Sequence, residues 1–325
     1  MTTPRSSERS LVPVQVRSRL VLEVASEIIG MADWEQRQAR VSLREQGGEA
    51  WGPTLFASDS PDAIGEVARG TVQVAISNPG VVLNLALRGT GPFKEPVPVR
   101  AITVIGSFDR IAFAVTEQTG IRSLDEIRER RYPLRISLRG QRDHATHLVL
   151  DEVLKAAGFS LDDIRAWGGE VRYDPKLPTR NPQRLGAVER GEVDAIFDEG
   201  AFGWTQMALD LGMRLLPLEE HHLKRLEAIG FQRAALLRED FPSLPADVPT
   251  LDYSGFVVYT RADVPDEVVT VVCRALEARK DRISPDSGKP PLPLEHMCKD
   301  TPAGPLSIPL HPAAERFWRD RGYLD

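Results

Sequence analysis

Apolar and polar residues alternate in blocks along most of the chain, and the blocks switch between a helical and a strand period. Apolar residues spaced three and four apart over residues 16–31 predict an amphipathic helix. Short apolar runs, for example at 72–76 and 99–106, predict buried strands. Because predicted strands and helices alternate almost throughout, the pattern indicates an α/β fold with largely parallel sheets and short crossovers.

The segment 134–157 combines a predicted strand, a polar loop and a helix. The strand covers 134–138. Asp143 is the expected N-cap of a helix that runs to Ala157, because a short acidic side chain satisfies free backbone N–H groups at a helix start. The next strand is predicted at 166–172.

One short sequence motif occurs twice, 121 residues apart. Residues 63–76 align with residues 184–197, and both copies predict the end of a helix, a glycine at which the helix stops, and a buried strand. Chance similarity between two ordinary αβ units is the alternative interpretation. The matched positions are Gly65 and Gly186, Val67 and Val188, Arg69-Gly70 and Arg190-Gly191, and Val72 and Val193.

Each of the two repeated strands runs into polar residues at equivalent places. Ser77 and Asn78 follow the first strand, and Asp198 and Glu199 follow the second. In open α/β sheets, ligands bind outside the carboxyl ends of the strands. The repeat therefore predicts two similar lobes that offer polar strand ends to a shared cleft, with Asn78 and Asp198 on opposite walls.

Length and charge narrow the class of protein. A chain of 325 residues suits two domains, and its net charge of −6, without a basic block, argues against a nucleic-acid partner. No apolar run approaches the ~18 residues of a transmembrane helix, so membrane insertion is not expected. The polar start of the sequence lacks a signal-peptide pattern, which predicts a cytoplasmic location, or a periplasmic one if a leader was removed.

The two cysteines, Cys273 and Cys298, do not have the spacing of a metal or redox site. Cys273 stands in an apolar run and is expected to be buried and inert. A disulfide between the two cysteines is left open, because their spacing does not decide it.

Five segments of the chain, at 66–76, 111–127, 187–196, 257–269 and 311–318, carry a resemblance to a known family. In this order they resemble the solute receptors of the TAXI subgroup of tripartite (TRAP) transporters, which have the type II periplasmic-binding-protein fold. The resemblance covers roughly residues 55–320. It implies two lobes, each a mainly parallel sheet flanked by helices, with the ligand cleft between them. On that basis we expect lobe I to comprise 1–114 and 256–325, and lobe II to comprise 115–255.

The chain departs from the pattern of these receptors in two places. Its first lobe is predicted to begin with a helix, and residues 139–147 stand where the receptors have a loop rich in glycine and serine. The same fold also resembles that of cytosolic enzymes, such as dihydroxyphthalate decarboxylases and menaquinone-pathway enzymes. Because fold does not determine function, an enzyme is kept as the alternative to a receptor.

The loop after the strand at 134–138 is the first candidate binding segment. Arg139 and Arg142 precede a predicted helix whose free N-terminal N–H groups favour an anion. Arginine adds bidentate recognition of a carboxylate. The loop therefore predicts a site for a carboxylate or a phosphate, and two solvated loop arginines are the alternative.

His144, His147 and Asp151 share one face of that predicted helix, because they lie three and four residues apart. Together with Asp198 or Glu199 from across the cleft, they form a candidate site for a divalent metal such as zinc. In an enzyme, His144, His147 and Glu199 are the expected acid, base or metal-binding groups. An exposed polar helix face is the alternative interpretation of the two histidines, and a helix cap is that of the two acids.

Further candidate ligand contacts lie near predicted strand ends and on one helix. Asn78 offers an amide donor and acceptor, with Ser77 beside it. Ser107 and Arg110 follow a predicted strand and offer a hydroxyl group and a cation. Trp204 offers an aromatic face for stacking. The structural alternatives are a turn for Asn78, a hinge for Ser107 and Arg110, and a core position for Trp204.

These residues together predict a protein that binds a small organic anion, a carboxylate, and whose lobes close over it by a hinge. Self-association into a homo-oligomer is left open. The alternative is a cytosolic enzyme acting on an aromatic or unsaturated carboxylic acid, for example a metal-assisted decarboxylase, and a ligand-sensing subunit is a third choice. His221 and His222 begin a predicted helix and are interpreted as surface residues.

Overall fold

The structure, a computed structural model, describes residues 13–31, 38–44, 52–175, 177–178, 182–283, 294–302 and 304–325. The chain forms two compact units, 1–37 and 38–325. The described part of the first unit is one helix, α1 (Pro13–Met31), which confirms the helix predicted at 16–31.

The second unit consists of two five-stranded sheets, a two-stranded ribbon and the helices that flank them. Its strands are β1 (Ala39–Ser42), β2 (Thr54–Ala57), β3 (Val74–Ser77), β4 (Val99–Ile105), β5 (Ala112–Thr116), β6 (Arg135–Arg139), β7 (Glu170–Asp174), β8 (Ala195–Asp198), β9 (Met213–Leu215), β10 (Arg233–Leu236), β11 (Val248–Leu251) and β12 (Phe256–Arg261). Its helices are α2 (Asp62–Ala68), α3 (Val81–Arg88), α4 (Leu124–Glu129), α5 (Ala145–Ala157), α6 (Leu161–Ala166), α7 (Pro182–Glu189), α8 (Ala201–Asp210), α9 (Glu220–Ile229), α10 (Asp266–Arg279), α11 (Leu294–Met297) and α12 (Pro312–Asp320).

Both five-stranded sheets are mixed. The first has the order β1-β2-β3-β12-β4, and β12 runs antiparallel to both of its neighbours. The second has the order β7-β6-β8-β5-β9, in which β6 is parallel to β7 and β8 while β5 is antiparallel to β8 and β9. The α/β fold with two helix-flanked sheets is confirmed. Antiparallel pairs are more frequent than the sequence indicated, because β5 enters its sheet directly from the first sheet and β12 directly from the ribbon, without a crossover helix.

The chain contributes strands to the sheets in four successive stretches. Strands β1 to β4 belong to the first sheet, β5 to β9 to the second, and β10 and β11 to the ribbon. The chain then returns with β12 to a place inside the first sheet. The lobe boundary expected at 255/256 falls between β11 and β12, and the one expected at 114/115 falls inside β5.

The internal repeat has the structure that the sequence predicts. Helix α2 is followed by Gly70 and strand β3, and helix α7 is followed by Gly191 and strand β8. The two glycines have φ angles of 75° and 69°, a left-handed backbone conformation that residues with a Cβ rarely adopt. The helix end, glycine stop and buried strand are therefore confirmed in both copies.

Two boundaries around α5 and α6 differ from the sequence predictions. The N-cap of α5 is His144 instead of Asp143, because the His144 ring accepts a hydrogen bond from the backbone N–H of Thr146. The strand expected at 166–172 begins later, as β7, because a helix precedes it. That helix, α6, starts with a capping box between Ser160 and an acid three residues on, a signal that was not used.

The central strands of each five-stranded sheet are buried on both faces. In β5, Phe113 and Val115 join one apolar cluster, whereas Ala112 and Ala114 join another. Adjacent residues of a strand point to opposite faces, so the two clusters lie on opposite sides of the second sheet. Burial of both faces explains why the strands read as continuous apolar runs.

Cys273 and Cys298 are both buried and not joined by a disulfide, in an apolar cluster that also contains Trp318. Burial raises the pKa of the Cys273 thiol to about 12, so the thiol is protonated at neutral pH. The expected burial of Cys273 is confirmed, and a protonated, buried thiol is unreactive.

Candidate functional site

The ends of the neighbouring parallel strands β6 and β8 bring an arginine and two acids together. Arg139 donates hydrogen bonds to Asp198 Oδ1 from Nη2 at 2.7 Å and from Nε at 3.1 Å. Its Nη2 also donates to Glu199 Oε1. Burial opposes the charge on Arg139, but the two carboxylates outweigh burial and raise its pKa. The sequence predicted all three residues as site residues, and the structure places them in contact.

A second arginine, which the sequence analysis did not select, completes this network. Arg184 is 1% exposed and donates from Nη1 to Asp198 Oδ2 at 2.5 Å. It also donates from Nε to Ser137 Oγ at 2.9 Å and from Nη2 to the Ser137 carbonyl oxygen at 3.1 Å. A charged residue four positions before the buried Val188 on helix α7 was the sequence signal for this partner.

Asp198 is a fixed carboxylate. It is fully buried, which by itself raises its pKa, but the guanidinium groups of Arg139 and Arg184 outweigh burial and lower it. The backbone N–H of Glu199 donates a further hydrogen bond to Asp198 Oδ1 at 2.9 Å. With both oxygens bonded within the chain, Asp198 positions the two arginines, and the ligand contact expected of it stays a prediction.

Glu199 stands beside a second carboxyl group, that of Asp109, in the connection between β4 and β5. The backbone N–H groups of Gly200 and Ala201, at the start of α8, donate to Asp109 at 3.0 and 3.3 Å. Burial, and then the negative charge of Glu199, raise the pKa of Asp109 well above its usual value. Asp109 therefore favours its protonated form, because the charge of Glu199 lies close by.

His144 links Arg139 to two buried hydroxyl groups. Its Nε2 lies 3.2 Å from Arg139 Nη1, and its Nδ1 lies 2.9 Å from Thr146 Oγ1. Thr146 Oγ1 lies 3.0 Å from the Tyr253 hydroxyl group. Burial and the charge of Arg139 lower the pKa of His144 well below its usual value, so its ring is neutral at pH 7.

His147 lies one turn further along α5 and faces a different set of groups. Its Nε2 donates to the Arg139 carbonyl oxygen at 2.9 Å, and burial lowers its pKa. Its ring contacts that of Tyr173, over which the guanidinium carbon of Arg142 lies at 3.6 Å from the centroid. The catalytic role expected of His144 and His147 stays a prediction.

The N-terminus of α5 does not offer the free N–H groups that the sequence analysis assumed. The N–H of Ala145 donates to the Asp59 carbonyl oxygen at 3.1 Å. The N–H of Thr146 donates to His144 Nδ1 at 3.2 Å, and that of His147 donates to the His144 carbonyl oxygen at 3.0 Å. Because the helix start is satisfied within the chain, any anion at this end must be held by arginine side chains.

Three other candidates gather where the chain crosses between the sheets. Arg110 pairs with Asp252, and the hydroxyl of Ser107 accepts from the Gly255 N–H at 3.0 Å. Asn78 donates from Nδ2 to the Gly255 carbonyl oxygen at 3.2 Å. These side chains hold the two crossing segments together, which for Ser107 and Arg110 matches the hinge alternative. Arg110 also reaches the charged network, because its backbone N–H donates to Asp109 Oδ1 at 2.6 Å and its Nη1 donates to the Asp109 carbonyl oxygen at 2.6 Å.

The remaining candidates lie in the sheets and cores. Ser77 is buried in β3 and pairs with Val257 of β12. Trp204 is 1% exposed, and its indole N–H donates to the Glu199 carbonyl oxygen at 2.9 Å. Its ring is enclosed by the core instead of facing a ligand. Exposed aromatic surface comes from Phe108 and Phe202, whose ring centroids are 5.3 Å apart.

A groove of about 640 Å³ lies between α2, beside the first sheet, and the start of α5, which follows β6. Acidic side chains outnumber arginines on its walls. His144 belongs to the wall and contacts Arg139, so the groove borders the charged network. We call it the α2–α5 groove. Its lining residues are Pro61, Asp62, Gly65, Glu66, Arg69, Pro92, Phe93, Arg142, Asp143, His144, His147, Leu148, Asp151 and Glu152.

The candidate metal ligands His144, His147, Asp151 and Asp198 do not converge. Within the described ranges, they form no group of three whose donor atoms lie within 4.8 Å of one another. His144 and His147 instead bond to Thr146 and to the Arg139 carbonyl oxygen. Among the helices that the structure describes, none is long and apolar enough to span a membrane.

Several solved structures are similar to this chain at low sequence identity. The alkanesulfonate-binding protein SsuA from Xanthomonas axonopodis pv. citri is 11% identical, with 68% of this chain and 80% of that chain covered and a TM-score of 0.29. A TctC solute-binding protein from Polaromonas is 16% identical, with 67% and 68% covered and a TM-score of 0.35. The ATP phosphoribosyl transferase (HisG:HisZ) complex from Thermotoga maritima is 13% identical, with 80% and 93% covered and a TM-score of 0.34.

These TM-scores lie too low to identify a function. The sequence model of the NMT1-like family, by contrast, matches residues 58–322, which include both five-stranded sheets from β3 onward. The chain therefore belongs to the NMT1-like family.

Proposed function

We propose that the protein is a solute-binding protein of the TAXI receptor type, and that it holds the carboxylate of a small organic acid at Arg139. The observation that carries the proposal is the pairing of Arg139 with Glu199, whose own carboxyl group stands beside Asp109. A carboxylate of the chain thus occupies the place that a ligand carboxylate would take on the arginine.

Glu199 is the exchangeable partner of Arg139. Asp198 is held by two arginines and a backbone N–H, so its position is fixed. Glu199 keeps a partly exposed carboxylate and is repelled by the neighbouring Asp109. A ligand carboxylate that takes the place of Glu199 retains the charged hydrogen bonds of Arg139. The displaced Glu199 and Asp109 then share a proton, which removes the repulsion between them.

The surroundings indicate which other groups the solute carries. The α2–α5 groove borders the network at His144, and its acidic walls favour amino or hydroxyl groups. Phe108 directly precedes Asp109, and Phe202 lies in the first turn of α8, so their exposed rings flank the carboxyl pair. These rings suit an apolar or aromatic portion of the solute. The proposed ligand class is accordingly a small carboxylic acid with a hydrogen-bonding substituent.

Titration calorimetry with aliphatic, aromatic and amino-substituted carboxylates tests the proposal. Arg139→Met should weaken binding about tenfold to hundredfold, since a charged hydrogen bond contributes about 1.5–3 kcal/mol. Glu199→Gln should strengthen it, because the competing charge is removed. Arg190→Met is the matched control, since Arg190 pairs with Glu192 on the surface and should bind like the parent. Unchanged binding in Arg139→Met, or weaker binding in Glu199→Gln, would contradict the proposal.

The pH dependence of binding gives a second prediction. The pKa of Asp109 is raised by burial and by Glu199, so the pair takes up a proton above the usual carboxyl range. Carboxylate affinity should therefore rise as pH falls toward the raised pKa of Asp109, with proton uptake on binding only where Asp109 is still ionised in the free protein. Calorimetry in buffers of different ionisation enthalpy measures this uptake. Glu199→Gln should abolish the dependence, and a parent whose affinity is flat with pH would rule out the exchange.

A further inference from the structure

Two histidines and an aspartate meet where helices α4 and α9 begin. His221 Nε2 lies 2.9 Å from Asp125 Oδ2, and His222 Nε2 lies 3.5 Å from Asp125 Oδ1. The two imidazole centroids are 3.9 Å apart. One donor atom from each residue lies within 4.8 Å of the others. The expectation that His221 and His222 are surface residues is wrong for His222, which is 0% exposed.

The His222 ring is buried without the partners that a buried imidazole needs. Neither Nδ1 nor Nε2 makes a hydrogen bond to any group that the structure describes. Asp125 Oδ1, toward which the ring points, is buried and has the Arg128 guanidinium beside it, at 3.0 Å. Leaving the two imidazole nitrogens unsatisfied costs about 1–3 kcal/mol each, so a missing partner at His222 is expected.

The spacing of these atoms fits a small cation. Zinc takes imidazole nitrogen and carboxylate oxygen at about 2.0–2.2 Å, in tetrahedral geometry. The edge of such a tetrahedron is roughly 3.3 Å. The observed separations of 2.9 and 3.5 Å, which run to different oxygens of Asp125, lie close to that value. We propose that Asp125, His221 and His222 form a zinc site that joins α4 to α9, separate from the carboxylate site at Arg139.

The groups around the three residues have defined places in such a site. Glu219 Oε2 lies 3.7 Å from Nδ1 of His221, the nitrogen turned away from Asp125. A carboxylate beside the second ring nitrogen of a metal-binding histidine commonly orients its imidazole without binding the metal itself. Arg128 Nη2 lies 3.0 Å from Asp125 Oδ1 and is the competing cation. Its Nη1 is also held, by the Ala157 carbonyl oxygen at 2.8 Å. Zinc thus shares Asp125 with Arg128 or displaces it.

Metal binding to chelator-treated full-length protein tests the proposal, with Zn²⁺ as the probe. The parent should bind one equivalent, and Co²⁺ should give the intense visible absorption of a tetrahedral site. His221→Ala, a change at an exposed residue, should weaken zinc binding by about a hundredfold or more, since one of three protein ligands is lost. His296→Ala, at another exposed histidine, should bind like the parent. Zinc should also raise the melting temperature of the parent and of His296→Ala, but not that of His221→Ala.

The variants distinguish a specific site formed by Asp125, His221 and His222 from general binding of zinc to surface acids. Asp125→Asn keeps the size of the side chain and should lower zinc affinity as His221→Ala does. Equal zinc affinity in the parent and in His221→Ala would overturn the proposal, as would a parent that binds less than one equivalent. Carboxylate titrations of the same variants should match the parent, so failure of the zinc site and failure of the solute site are distinguished.

Discussion

Replacement of Arg184 by methionine is expected to lower the free energy of unfolding by about 3–5 kcal/mol. Arg184 is buried and donates to Asp198 and Ser137, so its loss leaves a buried carboxylate with one guanidinium partner in place of two. Breaking a buried ion pair from one side is costly because the remaining charge has no water to solvate it. Urea denaturation followed by circular dichroism measures the change.

The same substitution at an exposed arginine is the control for Arg184→Met. Arg190 follows the end of the same helix and pairs with Glu192 at the surface. Exposed pairs contribute about 0–1 kcal/mol, so Arg190→Met should unfold close to the parent. The free energy of unfolding of Arg184→Lys should fall between those of Arg184→Met and Arg190→Met, because lysine keeps the positive charge but lacks the planar set of N–H donors of a guanidinium group. Equal stability of the Arg184 and Arg190 variants would show that the buried network does not stabilise the fold.

Replacement of Trp318 by alanine is expected to lower the free energy of unfolding by about 3–5 kcal/mol. Trp318 is 0% exposed, lies on the C-terminal helix α12 and packs into the core on one face of the first sheet. Its indole N–H donates to the Ile102 carbonyl oxygen at 2.8 Å. The substitution therefore leaves a large cavity and an unpaired carbonyl group together.

Trp167 provides the matched control, because it is a tryptophan that is only half-buried, beside Phe159. Trp167→Ala should cost about 1–2 kcal/mol, which is typical of a partly exposed side chain. Trp318→Phe retains the ring but not the N–H donor, and should recover much of the loss. Chemical denaturation of the three variants gives the comparison. A loss in Trp318→Ala no larger than that in Trp167→Ala would be inconsistent with a close-packed α12.

The sequence could predict the features that depend on local pattern. The repeat around Gly70 and Gly191 predicted two helix–strand units correctly, since a left-handed glycine and a buried strand both leave local signals. Of the polar residues expected after the two strands, Asn78 and Glu199 follow β3 and β8, whereas Ser77 and Asp198 are the last residues of these strands. Contact between Arg139 and Asp198 is a consequence of strand neighbourhood, because β6 and β8 are parallel and end at the same edge.

Contacts between distant parts of the chain could not be predicted from the local sequence pattern. Asp109 reaches the start of α8 from the connection between β4 and β5, a contact that periodicity does not encode. His222 appeared polar in a charged helix, yet it is 0% exposed and lies against Asp125 of α4. Trp204 offered an aromatic face, but the apolar cluster that also contains Ala112 and Ala114 encloses it. In each case tertiary packing decided whether a polar or aromatic residue faces solvent.

The place of β12 in the first sheet has a consequence for the order in which the protein assembles on the ribosome. Strands β3 and β4 are synthesised early but are held apart in the finished sheet by β12, which is made after the whole of the second sheet. Until that late strand emerges, β3 and β4 each present a row of unpaired N–H and C=O groups. The second sheet does not depend on a strand that is synthesised later, since it consists of the consecutive strands β5 to β9. The sheet formed by the middle of the chain is therefore complete first, and the sheet to which β1 to β4 belong closes last.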